Sequence, residues 1–167
     1  MYDLDLKYKV ILITGGSDGL GYASAELLSS EGAHVVVCGR RADYLNEKAK
    51  IISEKTKNSI VCGLARANFN DIDSAGKSLK KAKMSRIHTF ISTSDLHMKY
   101  KLKMQKDEVI EAIKKSIRRA KKYTNDIEWS PEDASRTDLN FLYKTIEVAI
   151  NSGATTINIP DTVGYAI

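Results

Sequence analysis

The feature that most constrains this chain is an alternation of six short apolar runs with segments whose apolar residues recur at helical spacing. The runs are Lys9–Thr14, His34–Cys38, Ser59–Leu64, Arg86–Ser92, Asp126–Ser130 and Thr155–Pro160. Runs this short, bounded by glycine or polar clusters, read as strands buried on both faces. Between them, Gly21–Ser30, Ala42–Lys55, Asp71–Lys83, Lys106–Tyr123 and Leu139–Ser152 read as helices, with Asp71 as an N-cap and Gly32 and Gly153 as stops. A helix after each strand returns the chain to the same end of the sheet, so the strands should be parallel and the crossovers right-handed. At 167 residues and 43% hydrophobic content this is one α/β domain with a real core.

The texture changes between Ile51 and Ser59. Before that point the strands are purely apolar and the chemistry sits in a glycine-rich loop. After it, strands end in polar clusters: Arg66, then Ser92-Thr93-Ser94-Asp95, then Ser130-Pro131-Glu132-Asp133, then Asp161-Thr162. Polar groups gathered at the C-terminal ends of parallel strands are how a TIM barrel builds its site, whereas the first two units have the pattern of a dinucleotide fold. The expected architecture is a partial TIM-barrel-like sheet of six parallel strands in the order 1-2-3-4-5-6. The alternative is a doubly wound, Rossmann- or flavodoxin-like sheet with the fourth strand beside the first. A partial barrel leaves open edges, which favours homo-oligomers.

Several function classes fall away. The start, Met1-Tyr2-Asp3-Leu4-Asp5-Leu6-Lys7, lacks the basic and apolar regions of a signal peptide, and no apolar run approaches a membrane span. Cys38 and Cys62 each lie in an apolar run and read as buried free thiols, so a cytoplasmic location is expected. The net charge of +5 is concentrated between Lys99 and Lys122. There Ile110, Ile113, Ile117 and Ala120 mark an apolar helix face, leaving most of the cations on a solvated one. With few aromatic residues interleaved, that pattern argues against a nucleic-acid partner.

The glycine loop follows the first strand and opens the first helix: Thr14-Gly15-Gly16-Ser17-Asp18-Gly19-Leu20-Gly21. Gly15 permits the tight turn, Gly19 lets backbone N–H groups approach a pyrophosphate, Gly21 lets the helix pack on the strand, and the helix N-terminus favours an anion. Nucleotide or phosphate is the ligand class this pattern suits. The spacing T-G-x-x-x-G-x-G, together with Gly32 to Arg41, resembles the cofactor loop of short-chain dehydrogenases/reductases, over about residues 7–50. The resemblance implies a dinucleotide held by Gly15, Ser17, Asp18, Gly19, Leu20 and Gly21. Arg40 and Arg41, at the end of the second strand, tilt the choice toward NADP; Asp18 works against it. That family's catalytic Ser and Tyr-x-x-x-Lys pair have no counterpart after the fourth strand, and Tyr44 to Lys48 matches by letter but lies in the second helix. No catalytic residue is assigned.

From about residue 52 the chain resembles 2-isopropylmalate synthase. The motifs run in order: Val61 to Arg66, Arg86 to Met98, Glu128 to Ala134 and Asn158 to Tyr165. The resemblance implies units three to six of an eight-unit barrel, with His97, Ser130, Glu132 and Thr162 lining a 2-oxo-acid pocket. Family members condense that acid with acetyl-CoA at a divalent metal. The Asp of the family's first strand and its H-x-H pair are missing; the histidines here are His34, His88 and His97. No metal ligand is therefore assigned and a bound divalent ion is not expected.

The economical reading joins a dehydrogenase-like segment, 1–51, to a synthase-like partial barrel, 52–167. Such a protein lacks a complete active site and binds NADP or phosphate at the loop. The alternatives are a synthase fragment that works when complemented, and an NADP-dependent oxidoreductase.

Overall fold

The computed structural model describes residues 5–7, 9–14, 16–38, 47–48, 50–52 and 60–164. The chain divides into two compact units, one made of Met1–Gly63 and Ser74–Arg86, the other of Leu64–Asp73 and Ile87–Ile167. The secondary structure is α/β, with parallel strands in a two-stranded and a four-stranded sheet.

In the first unit, β1 (Val10–Thr14) pairs with β2 (His34–Cys38) in the register Val10↔His34 to Thr14↔Cys38. Helix α1 (Gly19–Ser30) makes the crossover between them. It begins two residues earlier than the apolar spacing predicts, because Asp18 caps it. Ala25, Ala33, Val35 and Ile52 form the small core, with Ile11, Ile13 and Leu28 among the residues packed around it. Gly32, at φ +88, takes the left-handed conformation just beyond the helix end at Glu31. Of the predicted second helix, residues 47–48 and 50–52 are helical, and the remainder lies outside the described residues.

The four-stranded sheet has the order β3 (Val61–Arg66), β4 (Ser85–Ser92), β5 (Asp126–Glu132) and β6 (Thr156–Ile157). Sequential order within each sheet is as expected, but the six strands fall in two sheets rather than one. β4 lies between β3 and β5, so the doubly wound alternative, which needs it beside β1, does not hold. Strand β6 is two residues long where six were expected, and β5 runs on to Glu132.

Helix α2 (Phe69–Ser78) is shorter than predicted and shifted toward the N-terminus. Asn68 rather than Asp71 accepts at its start, its Oδ1 taking the Asp71 N–H at 2.9 Å, while Asp71 pairs with Arg66. Helices α3 (Lys106–Ala120) and α4 (Leu139–Ser152) complete the second unit. Gln105 and Glu108 form a capping box for α3, and Gly153, at φ +109, ends α4.

The second unit's core rests on two periodicities. Along β4 and β5 the odd-numbered residues Ile87, Thr89, Ile91, Ile127 and Trp129 are buried. Val109, Ile110, Ile113, Ile117 and Ala120 of α3 and Phe141, Leu142 and Ala149 of α4 bury their apolar stripes. Burying each large side chain contributes roughly 1.5–3 kcal/mol, so this layer fixes the frame on which β4 and β5 stand. The even-numbered residues of the same strands are left on the opposite face. Among the described residues, no helix is long and apolar enough to cross a membrane.

Candidate functional site

The residues singled out in the sequence fall in two places, one in each unit. In the first, the turn from β1 into α1 places Gly16 close against β2: a Cβ there would lie 2.7 Å from Val37 Cγ1. Gly19 has φ +50, and a Cβ on it would meet nothing within 4 Å. Ser17 is buried, Gly21 half-buried and Leu20 89% exposed. Asp18 Oδ1 accepts the Gly19 N–H at 2.8 Å. The protein's own carboxylate thus sits at the positive helix end where an incoming phosphate would be held. Gly15, Arg40 and Arg41 lie outside the described residues.

The second place is the C-terminal end of β4 and β5. Period-2 alternation puts His88, Phe90 and Ser92 of β4, and Glu128, Ser130 and Glu132 of β5, on the face away from the helices. His88 Nε2 and Ser130 Oγ are 2.6 Å apart, and His88 Nδ1 is 3.5 Å from Glu128 Oε1. Asn158 donates to that same Glu128 oxygen at 3.1 Å. A row of close polar contacts, from Asn158 through Glu128 and His88, therefore ends on the Ser130 hydroxyl.

One residue further along, Glu132 is held at both oxygens. Ser92 Oγ donates to Oε2 at 2.5 Å and Lys101 Nζ to Oε1 at 2.5 Å. Asp133 comes next, in the left-handed region at φ +65. It accepts from Ser94 Oγ at 2.5 Å and from Arg136 Nε at 2.6 Å. His97 Nδ1 is buried without a hydrogen bond, 3.7 Å from Asp133 Oδ2. The Thr93 and Thr137 hydroxyls are 2.7 Å apart. The segment after β4 is thereby tied to the segment after β5 through two consecutive carboxylates.

These contacts set the electrostatics. Burial works against the charge of Glu132, but the Lys101 ammonium, the Ser92 hydroxyl and nearby His97 outweigh it and lower its pKa. Burial likewise opposes the charge of Asp133, and Arg136, Ser94 and His97 together hold its carboxyl below the usual carboxylate range. Both groups are thus carboxylates at neutral pH. They accept hydrogen bonds and orient donors; they are not poised as acids.

The structure thus brings Ser130, Glu132 and His97 to adjacent strand ends. Thr162 stands exposed in the turn near Gly164 and takes no part in this hydrogen-bonded cluster. His88, Ser92, Lys101 and Asn158 belong to the site but were not among the residues drawn from sequence. Among the described residues, no group of three or more His, Cys, Asp or Glu side chains is arranged to hold a metal ion.

Strands with their chemistry at the C-terminal ends and helices over the other face define a barrel-type α/β segment. The HMGL-like family model matches residues 35–167, and the chain belongs to that family. A 2-isopropylmalate synthase of Ruthia magnifica is 57% identical over 121 residues, covering 72% of this chain and 24% of that protein. The 2-isopropylmalate synthase of Rhodopseudomonas palustris strain HaA2 is 48% identical over 145 residues, covering 86% of this chain and 28% of that protein. The chain spans about a quarter of the length of these curated relatives. Among solved structures, L-sorbose reductase from Gluconobacter frateurii, complexed with NADPH and L-sorbose, aligns with a TM-score of 0.38 and 18% identity. That alignment covers 90% of this chain and 64% of the reductase, a likeness too weak to bear on fold or ligand.

Proposed function

We propose that the chain supplies the 2-oxo-acid-facing wall of a condensing barrel of the 2-isopropylmalate synthase kind, and that turnover requires groups from elsewhere. The observation that carries this reading is the convergence of Ser130, Glu132 and His97 on adjacent strand ends, in a chain 48–57% identical to such synthases over most of its length. In the condensation that the family resemblance implies, the acetyl-CoA thioester would attack the keto carbon of 2-oxoisovalerate as its enolate, and any divalent ion supplying the carbonyl polarisation would have to be held by residues from elsewhere. In this chain the His88 row orients the Ser130 hydroxyl toward the acid. Glu132 and Asp133 stay ionised and fix the donors Ser92, Ser94, Lys101 and Arg136 around it. Thr162 joins the pocket by family resemblance.

The test is complementation. The chain is co-expressed with the Ruthia magnifica synthase from which the matched segment has been deleted, and acetyl-CoA-dependent thiol release is followed with 2-oxoisovalerate. Thiol release by the mixture, with none by either part alone, is expected. Turnover by the isolated chain would overturn the need for complementing groups, and an inactive mixture that also fails to bind 2-oxoisovalerate would overturn the whole reading.

A second reading keeps NADP or phosphate at the glycine loop, with residues 1–51 as a dinucleotide-fold segment. It is favoured by the open space above Gly19 and its left-handed backbone. A ligand that binds only the folded chain raises its melting midpoint, so an unchanged midpoint in millimolar NADP, NAD or phosphate would remove this reading.

A further inference from the structure

A 2-oxo acid is an anion, and the wall it would approach carries two carboxylates in sequence, Glu132 and Asp133, both held ionised. Binding there needs a cation that is close, partly desolvated and not saturated by its present partner. The segment after β4 offers four lysines at 99, 101, 103 and 106, and the structure separates them. Lys99 lies over the Tyr100 ring at 5.1 Å, and Lys106 lies over the Phe141 ring and 3.7 Å from Asp95. Lys103 closes the preceding turn in the left-handed conformation at φ +55. Lys101 alone of the four places its ammonium on Glu132.

The backbone that delivers Lys101 is unusual. After a single helical turn at Asp95–His97 the chain widens into a π turn, Met98–Leu102, closed by the Lys103 N–H on Met98 O, with the Met104 N–H also reaching Met98 O at 3.1 Å. Met98 is buried and anchors the turn. A π turn inserts one residue into helical spacing and rotates the succeeding residues by about 100°, and such turns cluster at functional sites. The left-handed lysine that ends it costs about 1 kcal/mol. Two locally unfavourable features thus coincide at the segment that turns Lys101 toward β5 rather than into solvent.

We infer that Lys101 is the carboxylate-recognition residue of the 2-oxo-acid pocket. Its ammonium has three N–H donors, of which one is on Glu132 Oε1, and the side chain is 50% exposed, so donors remain for a second carboxylate. Glu132 acts as the tether that keeps the cation in place. The substrate class is that of small anionic 2-oxo acids, and the inference rests on the proposed function above.

The test titrates the full chain by calorimetry with 2-oxoisovalerate and, separately, with its methyl ester, which keeps the keto group and loses the charge. Losing one charge-assisted contact should weaken the acid about 10- to 100-fold in Lys101→Met, leave the ester unchanged, and be largely restored in Lys101→Arg. Equal acid affinity in Lys101→Met, an equal loss on the ester, or no recovery in Lys101→Arg would overturn the inference while leaving the proposed function intact. Failure of the wild-type chain to bind the acid at all would overturn both. Lys101 is half-exposed on the surface, and Trp129 fluorescence in the unliganded variants verifies that each is folded.

Discussion

Replacing Asp133 by alanine probes the tie between the two strand-end segments. Its side chain is only 4% exposed and accepts from Ser94, itself 1% exposed, and from Arg136. Removing the carboxylate leaves the Ser94 hydroxyl buried without this acceptor, which costs roughly 1–3 kcal/mol. Arg136 is about one-third exposed and regains water, so its lost pairing adds at most about 1 kcal/mol. Alanine must also hold φ +65, at about 1 kcal/mol. The expected loss is about 2–5 kcal/mol, a large part of an ordinary domain's stability.

Urea unfolding monitored by Trp129 fluorescence measures this directly, because Trp129 is the chain's single tryptophan, is fully buried and lies four residues before Asp133. With a slope of roughly 2 kcal/mol per molar urea, the middle of the range for small proteins, the midpoint should fall by about 1–2.5 M. Glycine loses the same acceptors but not the backbone fit, so Asp133→Gly should be about 1 kcal/mol milder than Asp133→Ala. Asparagine keeps one acceptor oxygen and tolerates the left-handed region, and should be milder still. An Asp133→Ala variant within about 0.5 kcal/mol of wild type, the range of uninvolved surface changes, would refute the reasoning, as would glycine and alanine variants of equal stability.

Acid should unfold the second unit early. Glu132 and Asp133 have folded-state pKa values below their unfolded ones, so their stabilisation is complete above roughly pH 4 and is lost as pH falls through the folded values. Asp133→Asn should flatten that dependence in a fluorescence titration. Gly16→Ala forces its new Cβ against Val37 and should cost about 1–3 kcal/mol. Faster amide exchange in β1 and β2 should report it, and Val37→Ala should relieve part of the loss in the double variant. Ile113→Ala, at a fully buried position, should cost about 2–5 kcal/mol by chemical denaturation.

Sequence periodicity was sufficient to place the strands, because the apolar runs and the stripe on α3 are set by burial itself. The predicted face Ile110, Ile113, Ile117, Ala120 is the buried one. Helix starts were less legible, because Asn68 and Asp71 both suit a cap and only the backbone decides which accepts. His88 is hidden in the sequence because it sits mid-strand among β-branched and aromatic neighbours. Part of the signal was nonetheless there: His88 and Ser92 share strand parity with one another, as do Glu128, Ser130 and Glu132, so alternation puts each set on one face of its own strand, and only the pairing of β4 with β5 brings the two sets together. Lys101 had no such signal. Its position depends on a π turn, which has no composition of its own, and on a left-handed lysine that propensity would not place there. The separation of β1 and β2 from the four-stranded sheet was equally unreadable, since strand order in an α/β chain depends on long-range pairing rather than local pattern.

The measurement that bears most directly on the 2-oxo-acid wall is an amide correlation spectrum of the isotope-labelled chain, titrated with 2-oxoisovalerate. Saturable shifts concentrated at residues 88–101 and 128–133 are predicted. Shifts confined to residues 16–21, or a spectrum unmoved at millimolar acid, would contradict it.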